Sequence, residues 1–310
     1  MFFDLFLLVI GLLLLVKGGD WTIDGAANLA RFLGVSPLLI GFTVVAFGTS
    51  LPELLVSVRA AFGGSHGISL GNVVGSNIAN IFLVLGCAAL VYPLRCKREA
   101  VLPDLMMMGM STVGLMVLMF FGLIPTEAGV VMIVILVVYV AAQYWVQSSN
   151  EKTEEDVEFH RLNSPKQAIK FALIGLVLVS LGAEFLVKGA VGLAELLGVP
   201  EAIIGLTIVA VGTSLPELST SIASAWKKQT EIIIGNVIGS NVFNILFILG
   251  ITSTIKPLVV DPGFLDVDIL MLAGSALMVT VALLKKQRIT RPIGALFLLI
   301  YVLYNVYLFA

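Results

Sequence analysis

Residues 18–86 and 182–250 of this chain are two copies of one sequence. A constant offset of 164 relates Gly18 to Gly182, Gly41 to Gly205, Ala46 to Ala210, Glu53 to Glu217, Ser76 to Ser240, Asn80 to Asn244 and Gly86 to Gly250, and no gap is needed between these limits. About half the positions from Gly34 to Gly86 are identical to their mates. Such self-similarity marks an internal duplication, so any fold must be built from two like halves.

The duplicated material is apolar. Hydrophobic residues make up 59% of the chain and charged residues 12%, against roughly 25% charged in a soluble domain. Runs of about 20 apolar residues, the length that crosses a bilayer, recur throughout. The sequence predicts an all-α polytopic membrane protein of ten spans: Phe2–Phe32, Pro37–Phe62, Ile68–Tyr92, Leu102–Leu123, Ala128–Val146, Ala168–Leu197, Pro200–Trp226, Ile232–Ile255, Val267–Leu284 and Pro292–Leu308. The first would reach about 46 Å at ~1.5 Å per residue and must tilt. It lacks a basic leader and a small-residue cleavage site, so it reads as a retained helix. The expected organisation is a first five-helix repeat over 1–148, a cytoplasmic linker over 149–166, and a second, inverted repeat over 167–310.

Inversion follows from an odd number of spans per repeat, and the charges agree. One set of loops and helix ends collects Arg31, Arg95, Lys97, Arg98, Lys152, Arg161, Lys166, Lys170, Lys227, Lys228, Lys285, Lys286, Arg288 and Arg291. The other gets Lys17, Arg59, Lys188 and Lys256. The excess of positive charge places the first set in the cytoplasm and both termini outside, in a plasma or inner membrane. Inverted repeats with interrupted helices are the mark of a secondary transporter with a midplane site.

The interruptions are Gly48-Thr49-Ser50-Leu51-Pro52-Glu53 and Gly212-Thr213-Ser214-Leu215-Pro216-Glu217. Each proline lacks an N–H and clashes with the carbonyl four residues back, which should free carbonyls from Ala46 to Thr49 and in the mate from Ala210. Thr49, Ser50 and Glu53 share a helix face, as do Thr213, Ser214 and Glu217. The following spans carry Asn72, Ser76 and Asn80, and Asn236, Ser240 and Asn244, at intervals of four. Carboxylates, hydroxyls, amides and freed carbonyls are the oxygen ligands of hard cations. No His or Cys joins them, which disfavours softer metals. Two glutamates meeting in low dielectric would be neutralised by one divalent or two monovalent cations, the competition an antiporter needs.

These residues, Gly-Thr-Ser-Leu-Pro-Glu and Gly-Asn-x-x-Gly-Ser-Asn-x-x-Asn in duplicate, resemble the α-repeats of the sodium/calcium exchanger family, within the cation/Ca²⁺ exchanger superfamily; the short loops resemble its prokaryotic members. The resemblance implies a secondary-active Na⁺/Ca²⁺ antiporter, not an enzyme, with no cofactor. Glu53 and Glu217 would hold Ca²⁺ with the carbonyls of Thr49 and Thr213. Ala46, Thr49, Ser76 and Glu53 would form one Na⁺ site, and Ala210, Thr213, Ser240 and Glu217 its mirror; Ser50, Ser214, Asn80 and Asn244 complete the ring. Relatives that cotransport K⁺ carry an acid where Asn244 stands, so a K⁺-independent, electrogenic exchanger is implied. Alternatives are a Ca²⁺/H⁺ or K⁺-dependent exchanger and, further off, a cation channel.

Elsewhere the sequence is quieter. It has no basic tract for nucleic acid, and Cys87 and Cys96 read as ordinary thiols. No oligomer is implied. Asn72 and Asn236 could brace the broken helices as readily as bind ions, and Asn77 and Asn241 likewise. Gly235-x-x-x-Gly239 should permit close packing. Asp20 and Glu184, mates under the repeat, are expected to pair with Lys17 or Lys188, or to serve ion access. The acidic run from Glu151 to Glu158 reads as a solvated linker.

Overall fold

A computed structural model describes residues 2–148, 161–197, 210–260 and 266–309. The chain is a bundle of helices: α1 (Phe2–Leu33), α2 (Pro37–Thr49), α3 (Leu51–Phe62), α4 (His66–Val91), α5 (Arg98–Phe120), α6 (Thr126–Ser148), α7 (Pro165–Leu196), α8 (Ala210–Thr213), α9 (Leu215–Trp226), α10 (Thr230–Ile255), α11 (Val267–Lys286) and α12 (Arg291–Phe309). Among the described residues eight of these are single spans, and α2 with α3 makes a ninth, bent by 45°. The seventh expected span is described only from Ala210, as α8 and α9. Of the linker expected over 149–166, residues 149–160 lie outside the described residues, and Pro165 and Lys166 already belong to α7.

Hydropathy alone does not rank the spans, but packing does. In α10, 94% of the apolar window is buried, and in α4 78%, whereas α12 buries 11% and α1 22%. The two helices that carry the asparagine motif therefore form the centre. The main apolar core surrounds them, with Leu38 and Phe42 from α2, Val74, Ile78 and Phe82 from α4, Leu105 and Met108 from α5, and Val237, Val242 and Ile245 from α10.

The halves are joined by two ribbons that display the inversion. Strand β1 (Leu94–Arg95), after α4, pairs antiparallel with β4 (Arg288–Ile289), before α12. Strand β2 (Leu123–Ile124), before α6, pairs antiparallel with β3 (Leu258–Val259), after α10. Each ribbon is the image of the other when the repeats are exchanged. The first lies at the Lys/Arg-rich end and the second at the opposite end, as alternating spans require.

Helices α1 and α7 run antiparallel with their backbones in contact. Glycines recur every seven residues on both, at Gly11, Gly18 and Gly25 and at their mates Gly175, Gly182 and Gly189. A Cβ on Gly18 would lie 2.7 Å from the Val179 nitrogen, and one on Gly182 2.8 Å from the Leu15 nitrogen. Small residues let membrane helices approach this closely, and van der Waals contact then holds them. At the Lys/Arg-rich end the pair is tied again: Arg31 donates to the Leu162 carbonyl at 2.7 Å, and the Leu162 N–H donates to Asn28 Oδ1 at 2.9 Å. Thus α1 and α7 form one two-helix body lying across the core.

The outer helices carry a matched strut. Buried Asp104 on α5 accepts from Tyr139 and Gln143 on α6; its repeat mate Asp268 on α11 accepts from Tyr304 on α12 at 2.6 Å. Both carboxylates are satisfied within their own repeat.

Gly18→Leu should force α1 from α7 and cost about 1–3 kcal/mol, as overpacking does. In thermal unfolding of the purified protein in detergent it should melt several degrees below the parent. Gly109→Leu, where an added Cβ meets nothing within 4 Å, serves as control and should not.

Candidate functional site

The site begins where α2 ends. Ser36 caps that helix, its Oγ accepting from the Leu39 N–H at 3.1 Å, and Pro37 takes the first-turn place where a missing N–H costs nothing. Residues Gly41–Val45 then wind as a π turn, and a short α segment Ala46–Thr49 leads to the break at Ser50 (φ −83°, ψ 4°). Ser214 breaks the second copy with φ −87° and ψ 3°. Two residues with nearly the same distorted backbone, each two before a proline, show that the phrase itself encodes the break. The expectation that carbonyls from Ala46 onward are freed needs correction: the Ala46 carbonyl accepts from the Ser50 N–H at 3.0 Å and from Thr49 Oγ1 at 3.3 Å. The ring of Pro52 instead denies a donor to Gly48, and that of Pro216 denies one to Gly212.

Beyond the break each glutamate enters the first turn of a new helix, Glu53 on α3 and Glu217 on α9. Both are sealed from the surface, at 1% and 0% exposed, and the carboxylates lie within electrostatic range of each other. Neither Glu53 oxygen has a hydrogen-bond partner among the described residues, nor does Glu217 Oε2. Glu217 Oε1 accepts from Ser50 Oγ across the repeat boundary at 3.4 Å. Thr49 also reaches across, its Oγ1 lying 3.4 Å from Asn236 Oδ1 on α10.

Helices α4 and α10 complete the ring. Each has a π turn beginning at its last motif asparagine, Asn80–Val84 and Asn244–Leu249. A π turn adds a residue to the helical circuit and recurs at functional sites. Asn80 is buried with neither amide atom partnered among the described residues, and the same holds for the hydroxyls of Ser214 and Ser240 and Oδ1 of Asn244. Ser76 is buried one turn before Asn80, and Ala46 is buried in the short segment before the break. Thr213 is half-buried at the end of α8, which Ala210 opens; the side chain of Ala210 lies outside the described residues.

Several residues left open by the sequence prove to be braces. Asn72 donates to the Glu53 carbonyl at 3.1 Å and to Ser57 Oγ at 2.9 Å, tying α4 to the glutamate helix. Asn77 accepts from Asn244 Nδ2 at 3.0 Å and donates to the Asn241 carbonyl at 3.3 Å, so it orients Asn244 from the other repeat. Gly235 and Gly239 do allow close packing: added Cβ atoms would strike backbone of Leu38 and Phe42 on α2. Glu184 pairs with Lys188 at 2.5 Å, as expected. Asp20 does not pair with Lys17, which lies over the Trp21 ring; its carboxylate faces Lys227 at 3.4 Å. The pairing escaped the sequence reading because Lys227 is 207 residues away and has no lysine mate in the first repeat.

A buried carboxylate without a counter-charge is costly in low dielectric. Here two stand among hydroxyl and amide oxygens contributed by both repeats, without the His or Cys that would bias the set towards softer metals. Oxygen sets of this kind receive hard cations. Paired glutamates in broken helices, where inverted repeats meet inside a bilayer, define a membrane transporter of cations.

The chain belongs to the sodium/calcium exchanger family: the family's sequence model, described as sodium/calcium exchanger protein, matches residues 3–145 and again 168–310. The chain is 35% identical to the putative antiporter CaxA of Alkalimonas amylolytica over 97% of each protein. It is 34% identical to the sodium/calcium exchanger MaX1 of Methanosarcina acetivorans, covering 98% of this chain and 97% of that one. The fold superposes on the sodium-calcium exchanger NCX_Mj soaked with zero Na⁺ and Ca²⁺ at a TM-score of 0.85, with 32% identity and 99% of both chains covered.

Removing one of the two buried carboxyl groups should relieve the cation-free protein. Glu53→Gln is expected to raise its melting temperature in cation-free buffer and to abolish the further rise that millimolar Ca²⁺ gives the parent, a rise worth about 2.7 kcal/mol at a hundredfold excess over Kd. Thermal unfolding with and without Ca²⁺ reads both effects.

Proposed function

We infer that this protein is an antiporter that uses the Na⁺ gradient to move Ca²⁺ across the membrane, and that Glu53 and Glu217 are the shared ligands for which the two ions compete. The observation that carries the reading is the set of unpartnered carboxylate oxygens on Glu53 and Glu217, buried where the two repeats meet. One Ca²⁺ bound by Glu53, Glu217 and the carbonyls of Thr49 and Thr213 neutralises both charges. Two Na⁺ do the same, one with Ala46, Thr49, Ser76 and Glu53, the other with Ala210, Thr213, Ser240 and Glu217. Ser50, Ser214, Asn80 and Asn244 close the ring between them. A further Na⁺ held by neutral oxygens would make each cycle carry net charge.

Asn244 bears on the choice of ion. Its Nδ2 is engaged by Asn77, so the amide presents Oδ1 to the site and adds no charge. That arrangement supports exchange without K⁺. In this reading residues 1–148 and 167–310 are the two inverted repeats, the 149–166 linker and the Lys/Arg-rich end face the cytoplasm, and both termini face out. Alternating access comes from the α1–α7 body moving across α2–α4 and α8–α10, because a body bonded to itself along its whole length moves as a unit.

Reconstituted, Na⁺-loaded proteoliposomes should take up labelled Ca²⁺ on dilution into Na⁺-free medium without added K⁺. Glu53→Gln and Glu217→Gln should each abolish that uptake. Uptake that needs K⁺, or that follows a pH gradient with Na⁺ absent, would replace Na⁺/Ca²⁺ exchange with the K⁺-dependent or proton-coupled alternative.

A further inference from the structure

Lys227, the first residue after α9, reaches across to α1. Its Nζ donates to Asp24 Oδ1 at 2.9 Å and to the Asp20 carbonyl at 3.0 Å, with Asp20 Oδ1 at 3.4 Å. The Lys227 and Asp24 side chains are 20% and 12% exposed, so water screens this contact only in part. Around it Ile23, Ala26, Ala27 and Ala30 of α1 pack against Leu39, Ile40 and Val45 of α2, Ala223 of α9 and Ile232 of α10. The Lys/Arg-rich end of the moving body is therefore sealed to the core by an apolar seam and held there by one ammonium group.

The repeat supplies an internal control. Exchanging the halves maps Asp20 onto Glu184, Asp24 onto Lys188 and Lys227 onto Gly63. The opposite end thus has a lysine where an acid would be needed and no side chain where the lysine would be. Glu184 and Lys188 satisfy each other within one turn of α7, at 53% and 60% exposed, and carry no ion pair to the core among the described residues.

An inverted-repeat carrier whose halves were identical would have two end states of equal energy, since exchanging the conformations of the halves converts one into the other. Any resting preference must come from positions where the halves differ. We propose that Lys227 with Asp24 and Asp20 is a one-sided latch that biases this carrier towards the state closed at the cytoplasmic end, and that Gly63 and Lys188 are why no equal latch opposes it. The three residues are positioning residues; they act on the α1–α7 body and not on the ion. The sidedness rests on the proposed function, while the latch itself is a statement about two conformations.

The test uses the full chain with Cys87 and Cys96 replaced, and spin labels at Leu33, at the end of α1, and Leu90, near the end of α4, both exposed. In lipid nanodiscs without Ca²⁺, double electron–electron resonance should show mainly the closed separation. Lys227→Met should raise the ratio of open to closed populations about five- to tenfold, of order 1 kcal/mol by the rule that 1.4 kcal/mol is tenfold. Exchanging the charges, Lys227→Asp with Asp24→Lys, should restore the closed population. Gly63→Lys with Lys188→Asp builds the missing latch at the other end, and should also raise the open population at the labelled end without touching Lys227. Unchanged separations in both Lys227→Met and Gly63→Lys/Lys188→Asp would overturn the latch. Shifted populations without Na⁺-driven Ca²⁺ uptake in the labelled parent would sink the exchange reading and leave the latch standing; normal uptake with unshifted populations would do the reverse.

Discussion

The architecture depends on keeping two carboxylates, Glu53 and Glu217, out of water with no ion pair to a lysine or arginine among the described residues. In a soluble protein such a pair would be hydrated or bonded to lysine or arginine. Here the nearest help is a serine hydroxyl from the opposite repeat and braces that hold the surrounding backbone. The folded chain is left with a local energetic deficit that a mobile cation can remove. The deficit is also divided: each repeat owns one glutamate, and Ser50 of the first repeat reaches across to Glu217 of the second.

The inverted duplication explains how such a site can be reached from two sides. The β1–β4 and β2–β3 ribbons pin the repeats to each other at opposite ends, and α4 and α10 fill the centre. In the proposed mechanism the element that moves is the α1–α7 pair, whose backbone contact makes it internally stiff. Stiffness within the pair and a limited seam to the core, apolar side chains with Lys227 and the hydrogen bond from Ser219 to the Leu15 carbonyl, are the properties expected of a sliding element. Departures from exact repetition then set preferences between states. The Asn72 and Asn236 pair shows a smaller departure inside the site: both bond their own repeat's glutamate helix, Asn72 at the Glu53 carbonyl and Ser57 and Asn236 at Thr220, but Asn236 also lies against Thr49 of the other repeat.

Much of this was legible in the sequence because it is periodic or covalently local. The repeat offset, the apolar spans and the break before each Pro-Glu follow from spacing and from what proline does to a helix, whereas the membership of the central ring is what the family resemblance implies. Whatever depends on pairing distant segments was not legible. The π turns at Asn80 and Asn244 arise from packing around residues whose composition reads as ordinary helix. Asn77 looks like Asn80 in the sequence, and only the meeting of α4 and α10 makes it the partner of Asn244. The heptad glycines were visible as letters, but their meaning needed the antiparallel alignment of α1 and α7. For Asp20 the sequence offers only the lysines near it on a helix face, whereas its partner Lys227 lies at the end of another span.

The central claim is that Ca²⁺ and Na⁺ contend for the same two carboxylates. Equilibrium Ca²⁺ binding to the purified protein by titration calorimetry, at fixed pH and rising Na⁺, tests it most directly. The account predicts that Ca²⁺ affinity falls continuously as Na⁺ rises, with more than one Na⁺ displaced per Ca²⁺. Ca²⁺ affinity that is indifferent to Na⁺, or both ions bound together at saturation, would contradict it.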